Sequence, residues 1–341
     1  MIKYLSLLSS HRGALMGVAI LWVLAFHLPL HTDFFILKTI FYSGYGGVDI
    51  FLFLSGFGLY FSMSQKNTTV SRFYRKRFCR ILPEFWLYLA VIFIISMDFD
   101  FRCFLRMLYC ATTIGYWIPG TPYVLWYISC ILFFYAIFPL YFRLFKKRGS
   151  AISLIAIIGG LVLTVAYGIV SVLCFNNENR GGLLILTIAR IPIFFIGALF
   201  GHWAKNMVDF KLKKVSITAV LVLFAISLAF LLLCKTYLYE YRWTFGLSFI
   251  PFIIITPVLC VLVSLFLDNA PRVVSTFFTN VGSISLELYI VHEALYTQIS
   301  SLSKYMGHNG ACFAALFFSF VAALILHWVN KIFLQRLFAA C

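Results

Sequence analysis

Charged residues are scarce in this sequence of 341 residues. Asp, Glu, Lys and Arg together make up 11% of it, whereas hydrophobic residues make up 63%. Soluble domains carry about 25% charged residues, so this composition, with a mean hydropathy of +0.98, excludes an ordinary soluble domain. No polar stretch is long enough to fold separately. The sequence therefore predicts an all-α fold, a polytopic membrane protein with a single membrane domain over residues 1–341.

Acidic residues are the scarcer of the two charge signs. Only 11 Asp and Glu residues accompany 27 Lys and Arg residues, which gives a formal net charge of +16. In a soluble chain such an excess indicates nucleic-acid binding. Here the basic residues lie mostly between hydrophobic runs, where they determine membrane orientation and can contact anionic lipid or phosphate. The charge pattern therefore predicts a lipid bilayer as a partner and no nucleic acid.

Metal-binding and export patterns are missing as well. The nine cysteines form no Cys-x-x-Cys motif and no Cys/His cluster with the spacing of a zinc site. We therefore expect no metal, and we interpret the cysteines as small buried apolar residues. No Ala-x-Ala cleavage site follows the first apolar run, which favours a retained first span over a removed signal peptide.

Hydrophobic runs that are long enough to cross a bilayer occur ten times. A span needs about 20 mostly apolar residues. The predicted spans are 13–30, 44–63, 82–97, 123–142, 151–174, 183–203, 215–234, 246–266, 281–300 and 310–330. Residues 101–116 are apolar but too interrupted to span, so we expect them at the membrane interface.

Lys and Arg are distributed unequally between the two ends of these spans. Nineteen of the 27 lie on one side, and basic residues favour the cytoplasmic side of a membrane. Both termini are therefore predicted to be cytoplasmic. At about 1.5 Å of rise per residue, His292 then lies near the middle of the membrane. In the outer half of the membrane we expect His27, Asp49, Trp126, Tyr127 and Arg190.

Two ionisable side chains in the first two spans are candidates for function, because an aspartate in a bilayer costs roughly 2.5–3.5 kcal/mol. His27 ends the first apolar run, and Asp49 follows the turn Gly44-Tyr-Gly-Gly. His27 is either a hydrogen-bonding group in helix packing or a general base, since imidazole titrates near neutral pH. Asp49 either orients His27 through its other ring nitrogen or caps the second span, where a carboxylate is favourable.

A strongly basic segment follows the second span. Between positions 66 and 80 there are six basic residues and no acidic residue. The segment is either a positive-inside anchor or a cytoplasmic cradle for a polyphosphate headgroup, because arginine binds phosphate through two parallel hydrogen bonds. Arg75, Arg77 and Arg80 are the candidate ligands, and they can line one face of a juxtamembrane helix.

Further polar residues lie inside later spans. Trp126 and Tyr127 open the fourth span, where they form either an aromatic belt or part of a site. Arg190 stands beside a proline in the sixth span. Glu287 and His292 share the ninth span, but they are five residues apart and so share a helix face poorly.

Taken in order along the chain, these motifs resemble the acyltransferase-3 family of bacterial membrane acyltransferases. The resemblance covers residues 12 to about 295 and depends on the whole set. The motifs are the first span ending in histidine; Gly-Gly-Val-Asp-Ile-Phe with Ser-Gly-Phe; Phe-Tyr-Arg-Lys-Arg-Phe-Cys-Arg-Ile-Leu-Pro; Leu-Trp-Tyr-Ile with Phe-Pro-Leu; Arg-x-Pro with a later Gly; and Ser-Leu-Glu-Leu-Tyr-Ile-Val-His.

The resemblance implies transfer of an acyl group, usually acetyl from acetyl-CoA, to a hydroxyl of a cell-surface carbohydrate or a related acceptor such as a glycolipid. It also implies a bacterial plasma membrane as the location. The family's first-span histidine falls on His27. The family's arginines after the second span fall on Arg75, Arg77 and Arg80.

The sequence departs from the family pattern at one position. The family has an arginine eleven residues before its histidine, and this chain has Met16 there. Arg12 lies one helical turn earlier on a similar face, so we expect it to replace that arginine in binding acyl-CoA.

The resemblance and the predicted orientation together suggest a mechanism. Acyl-CoA docks on the arginines at the cytoplasmic face, and His27, oriented by Asp49, deprotonates the acceptor hydroxyl on the outer side. The residues expected in the substrate pocket are Trp126, Tyr127, Arg190, Glu287 and His292, the last two in either a catalytic or a structural role. The alternatives are a transporter or flippase for a glycolipid, although the halves show no internal repeat, and a membrane domain that senses or anchors a partner.

Overall fold

A computed structural model of the chain describes residues 4–65, 68–96, 100–118, 125–175, 184–206, 217–234 and 242–334. Helices make up all of the regular secondary structure in these residues. The α-helices are α1 Tyr4–Ser10, α2 Arg12–His27, α3 Phe35–Tyr42, α4 Gly47–Met63, α5 Val70–Ser96, α6 Phe101–Ala111, α7 Trp126–Arg148, α8 Ala151–Phe175, α9 Leu184–Ile188, α10 Ile191–Lys205, α11 Ile217–Leu233, α12 Phe252–Asn269, α13 Arg272–Ser283, α14 Ser285–Tyr296, α15 Ile299–Met306 and α16 His308–Val329. Short 3-10 helices cover Gly44–Gly46, Ile114–Trp117 and Arg242–Phe249, and a π-helix covers Asn330–Leu334.

Seven of the described helical segments are long and apolar enough to cross a membrane, and nine if two bent pairs each form one span. The bent pairs are α1 with α2, at 72°, and α13 with α14, at 67°. A shorter apolar helix, Leu221–Leu233, lies where the seventh span is predicted. These helices are those of a multi-pass membrane protein, which the composition predicts. The count of ten spans and the cytoplasmic position of both termini stay predictions.

The predicted span boundaries at residues 97, 123, 183 and 215 lie outside the described residues, as does Lys66 of the basic segment. One described region differs from the sequence interpretation. The basic segment and the third span, predicted at 82–97, were expected as separate elements, and the structure joins them in the single helix α5. No glycine or proline occurs between Val70 and Leu82, so nothing in the sequence ends a helix there.

Helix α4 lies at the centre of the fold. Its apolar window is 83% buried, more than that of any other candidate span in the described residues. It packs closely on α10 because glycines bring the two backbones together: a Cβ at Gly197 would clash with the Phe53 carbonyl, and a Cβ at Gly56 with the Phe194 carbonyl. Such small residues are typical of tightly packed membrane helices.

Helix α2 packs on α4 and, on another side, on the bent pair α13–α14. The crossing with α13 is equally close, because a Cβ at Gly17 would clash with the Phe278 carbonyl. The helix begins at Arg12 and ends at His27. The fold therefore encloses α2 and leaves one candidate residue at each of its ends.

Candidate active site

The two ends of α2 contribute to two separate groups of polar side chains. Arg12 and His27 are 15 residues apart, which corresponds to about 22 Å along a helix axis. The group around Arg12 lines a cavity, and the group around His27 is a pair of imidazoles.

A cavity of about 60 Å³ lies at the Arg12 end, between α2, α4, α5, α7 and α14. We call it the basic cavity. Its polar lining residues are Arg12, Arg77, Arg80, Ser55, Tyr127, Tyr135, Ser285 and Tyr289, and no carboxylate is among the described residues that line it. The structure thus brings together three of the four predicted arginines and the predicted Tyr127.

The direction of α5 decides which arginines of the basic segment reach this cavity. Arg77, Arg80 and Ile81 line it because positions three and four apart share one helix face. Arg75 lies on the exposed side of the same helix and is not part of the cavity lining.

The guanidinium groups in the basic cavity are incompletely satisfied. The Nε atoms of Arg12 and Arg77 are buried and have no hydrogen-bond partner among the described residues. Arg77 lies over the rings of Phe73 and Tyr135, with its Cζ 5.7 Å and 5.9 Å from their centroids. Arg12 and Arg77 are half-buried and Arg80 is exposed, and three cations that converge on one cavity repel each other, so the arrangement is suited to receive an anion.

Gly58 makes room for Arg12. A Cβ at Gly58 would lie 2.6 Å from the Arg12 Cζ, so the guanidinium rests directly against the backbone of α4. Met16 lines the same cavity. An arginine at position 16 would therefore line the same cavity as Arg12.

At the other end of α2, His27 faces a second histidine. The two ring centroids of His27 and His292 are 5.0 Å apart. His27 Nδ1 lies 3.0 Å from the Val23 carbonyl oxygen, and His292 Nδ1 lies 2.8 Å from the Tyr289 carbonyl oxygen. A carbonyl only accepts, so in each neutral imidazole Nδ1 carries the proton and Nε2 is left as an acceptor. His27 is exposed, whereas His292 is buried.

Tyr289 connects the basic cavity with the histidine pair. It lines the cavity, and its ring centroid is 5.1 Å from that of Tyr127 and 5.6 Å from that of His292. Its hydroxyl accepts the backbone N–H of Tyr127 at 3.2 Å. Aromatic side chains therefore bridge the space between the two groups along α14.

Asp49 lies beside Arg190 and not at the Nδ1 of His27, which the Val23 carbonyl occupies. Asp49 Oδ2 is 3.5 Å from Arg190 Nη2, and both side chains are almost wholly buried. Among the described residues, no hydrogen bond therefore connects Asp49 with His27.

The guanidinium of Arg190 is enclosed by aromatic rings and carbonyls. Its Cζ lies 5.1 Å from the Trp126 ring centroid and 4.5 Å from that of Phe249. It donates to the Leu186 carbonyl at 2.9 Å and to the Tyr45 carbonyl at 3.3 Å. Trp126, Arg190 and Asp49 thus form a cluster of their own that ties α4, α7 and α10 together.

Glu287 belongs to neither group. Its carboxylate is 2.5 Å from Nδ1 of His327 on α16 and is buried. Close by, Glu84 accepts a hydrogen bond from Asn330. Among the candidates of α14, only His292 therefore lies beside His27.

Sequence reasoning missed Tyr135, Tyr289 and Ser55 as lining residues. Tyr135 follows Tyr127 by eight residues, two turns along α7, so the shared face was readable from the spacing. Ser55 stands in a Ser-Gly-Phe motif that equally fits helix packing. In the described part of the chain, no group of three or more His, Cys, Asp and Glu side chains is arranged to hold a metal ion.

A family model described as an acyltransferase domain matches residues 14–329. The match includes every member of both groups except Arg12, which lies two residues before it begins. Neither a comparison with curated proteins nor one with solved structures found a match.

Proposed function

Because the chain belongs to the acyltransferase-3 family, we propose that it moves an acyl group, acetyl in the simplest case, from acyl-CoA to a hydroxyl of a carbohydrate or glycolipid acceptor. The observation that carries the proposal is the arrangement along α2, with a basic cavity at one end and two acceptor imidazoles at the other. A donor with phosphates at one end and a thioester at the other requires two such regions.

The arginines of the basic cavity bind the donor's phosphates through hydrogen bonds between charged groups. The cavity's volume of about 60 Å³ is well below the roughly 300 Å³ of a typical ligand pocket. Donor binding therefore widens it, and its walls on α2, α5 and α14 are the helices that must separate. The pantetheine arm then extends past Tyr289 toward His27.

The chemistry takes place at the histidine end. His27 Nε2 removes the proton from the acceptor hydroxyl, whose oxygen attacks the thioester carbonyl. The C–O bond forms, the C–S bond breaks, and the CoA thiolate takes the proton back from the imidazolium. The Tyr289 oxygen already accepts the Tyr127 N–H, which leaves the hydroxyl proton of Tyr289 available to stabilise the oxyanion.

The basic residues support the orientation of this reaction. If both termini are cytoplasmic, the basic cavity faces the cytoplasmic supply of acyl-CoA and His27 faces the outer side of a bacterial plasma membrane. An exposed His27 is then accessible to a cell-surface acceptor. Asp49 and Arg190 hold the surrounding helices and take no part in the proton transfer.

The test combines CoA binding with acetyl transfer by the purified protein in detergent. The variant Arg77→Ala plus Arg80→Ala should weaken CoA binding by about a hundredfold or more, since hydrogen bonds to charged groups contribute roughly 1.5–3 kcal/mol each. The matched control Arg72→Ala plus Arg75→Ala removes two exposed charges of the same helix and should change binding less than about threefold.

Equal CoA affinity in both double variants would refute the basic cavity as the donor site. Movement of an acceptor across the membrane without CoA consumption would instead support a transporter.

A further inference from the structure

The proposed mechanism uses Nε2 of His27 and leaves that of His292 without a role. His292 is 1% exposed, and its Nδ1 is tied to backbone carbonyls of α14. Its Nε2 is buried and has no hydrogen-bond partner among the described residues. Because Nδ1 holds the proton, this buried Nε2 can only accept a hydrogen bond.

A second buried polar atom without a partner lies next to it. Tyr296 follows His292 by four residues on the same face of α14, and their ring centroids are 5.6 Å apart. The Tyr296 hydroxyl oxygen is also buried and lacks a partner in the described structure. Buried polar groups are nearly always hydrogen-bonded, so two adjacent exceptions beside His27 indicate a ligand.

We infer that His292 Nε2 and the Tyr296 hydroxyl bind a second hydroxyl of the acceptor, next to the one that His27 deprotonates. The inference rests on the proposed acyl transfer. One hydroxyl satisfies both atoms, because it donates to Nε2 and accepts from the tyrosine O–H. A carboxylate has no proton to give to Nε2, and an ammonium has no lone pair to accept from the tyrosine.

The spacing of the two histidines is compatible with two hydroxyls on neighbouring carbons. Their ring centroids are 5.0 Å apart, and neighbouring hydroxyls of a sugar or polyol are about one hydrogen-bond length apart. One hydroxyl of such a pair reaches His27 while the other reaches His292. The acceptor is therefore a compound with adjacent hydroxyls, such as a sugar ring, and not an isolated alcohol.

The experiment compares acetyl transfer from acetyl-CoA to trans-cyclohexane-1,2-diol and to cyclohexanol, which differ by one hydroxyl. The wild-type protein should prefer the diol by about tenfold or more in kcat/KM, since a site built around a hydroxyl discriminates against its absence. Tyr296→Phe and His292→Phe should abolish the preference by raising KM for the diol. The loss in kcat/KM should be at least about tenfold larger for the diol than for cyclohexanol, because only the diol carries the second hydroxyl.

Two further variants separate recognition from a structural effect. His292→Gln keeps an acceptor oxygen close to the position of Nε2 and should retain part of the preference. Tyr305→Phe removes the hydroxyl of a tyrosine that is 86% exposed, and it should change neither reaction.

Equal wild-type kcat/KM for the two alcohols would overturn this inference and leave the proposed function intact. A Tyr296→Phe variant that loses both reactions equally would overturn it too, because the hydroxyl would then serve the fold. Failure of the wild-type protein to acetylate either alcohol with acetyl-CoA, although it binds CoA, would count against the proposed function itself.

Discussion

The two ends of α2 are polar in opposite ways. At the Arg12 end, three cations converge with no carboxylate among the described lining residues. At the His27 end, two imidazoles face each other, and backbone carbonyls determine the proton position of each. The first arrangement is favourable for an anion, and the second is favourable for a neutral group with a transferable proton. The comparison supports our proposal that the charged end binds the donor and the histidine end carries out the reaction.

The largest effect is expected on turnover, when His27 is substituted. His27→Ala should lower the turnover of acetyl transfer by about 10²- to 10⁴-fold, because it removes the general base, while CoA affinity stays within about twofold. Steady-state kinetics and CoA binding measure the two effects. His31→Ala is the control, since His31 stacks on His308 outside both groups. A folded His27→Ala variant with full turnover would contradict the proposed division of roles between the two ends of α2.

Asp49 tests whether the histidine end depends on a carboxylate. Asp49→Asn leaves Arg190 buried without its counter-charge, so we expect the free energy of unfolding to fall by about 3–5 kcal/mol. The Tm of the protein in detergent measures this loss. The protein that remains folded should keep its turnover. A normal Tm with turnover as low as that of His27→Ala would show that Asp49 acts on His27 after all.

Arg12 tests the binding end of the comparison. Arg12→Met should weaken CoA binding by about ten- to a hundredfold, because it removes one hydrogen-bonding cation from the cavity, with a smaller effect on turnover. Adding Met16→Arg should restore much of the affinity, since both positions line the same cavity. If titration with CoA finds no recovery, the donor does not reach the wall at position 16.

The smallest expected effect concerns the room that Gly58 leaves for Arg12. In Gly58→Ala the new Cβ displaces the flexible end of Arg12, with strain of roughly 0.5–1.5 kcal/mol, or about two- to tenfold in CoA affinity. The same change in the Arg12→Met background should have no effect. Gly159→Ala, which meets nothing within 4 Å, is the matched control. An equal loss in both backgrounds would mean that Gly58 acts through helix packing.

Local patterns predicted the elements of this fold and several members of its site. Apolar runs indicate the spanning helices, and the spacing of Arg77 and Arg80 already puts them on one face of a helix. The cost of an ionisable side chain in a bilayer indicated His27, and the resemblance to a family fell on the same residue. These conclusions depend on neighbours in sequence, which a helix converts directly into neighbours in space.

Partners that are distant in sequence were not predictable in the same way. The carboxylate of Asp49 was assigned to His27, but it lies beside Arg190, 141 residues away, since the close packing of α4 on α10 determines the contact. His292 was placed in the pocket without a partner, because nothing in the sequence states that α14 crosses the end of α2. Tertiary packing determines such pairs, and a single sequence does not contain the register of two packed helices.

The 67° bend between α13 and α14 has an electrical consequence. A continuous span would have its ends at the membrane surfaces, whereas the bend starts a new helix at Ser285, and Ser285 and Leu286 line the basic cavity. Aligned peptide dipoles give a helix start a partial charge of about +0.5. The end of α13 at Ser283 carries the opposite partial charge and offsets a part of it, and the remainder belongs to the backbone, so no substitution of an arginine abolishes it.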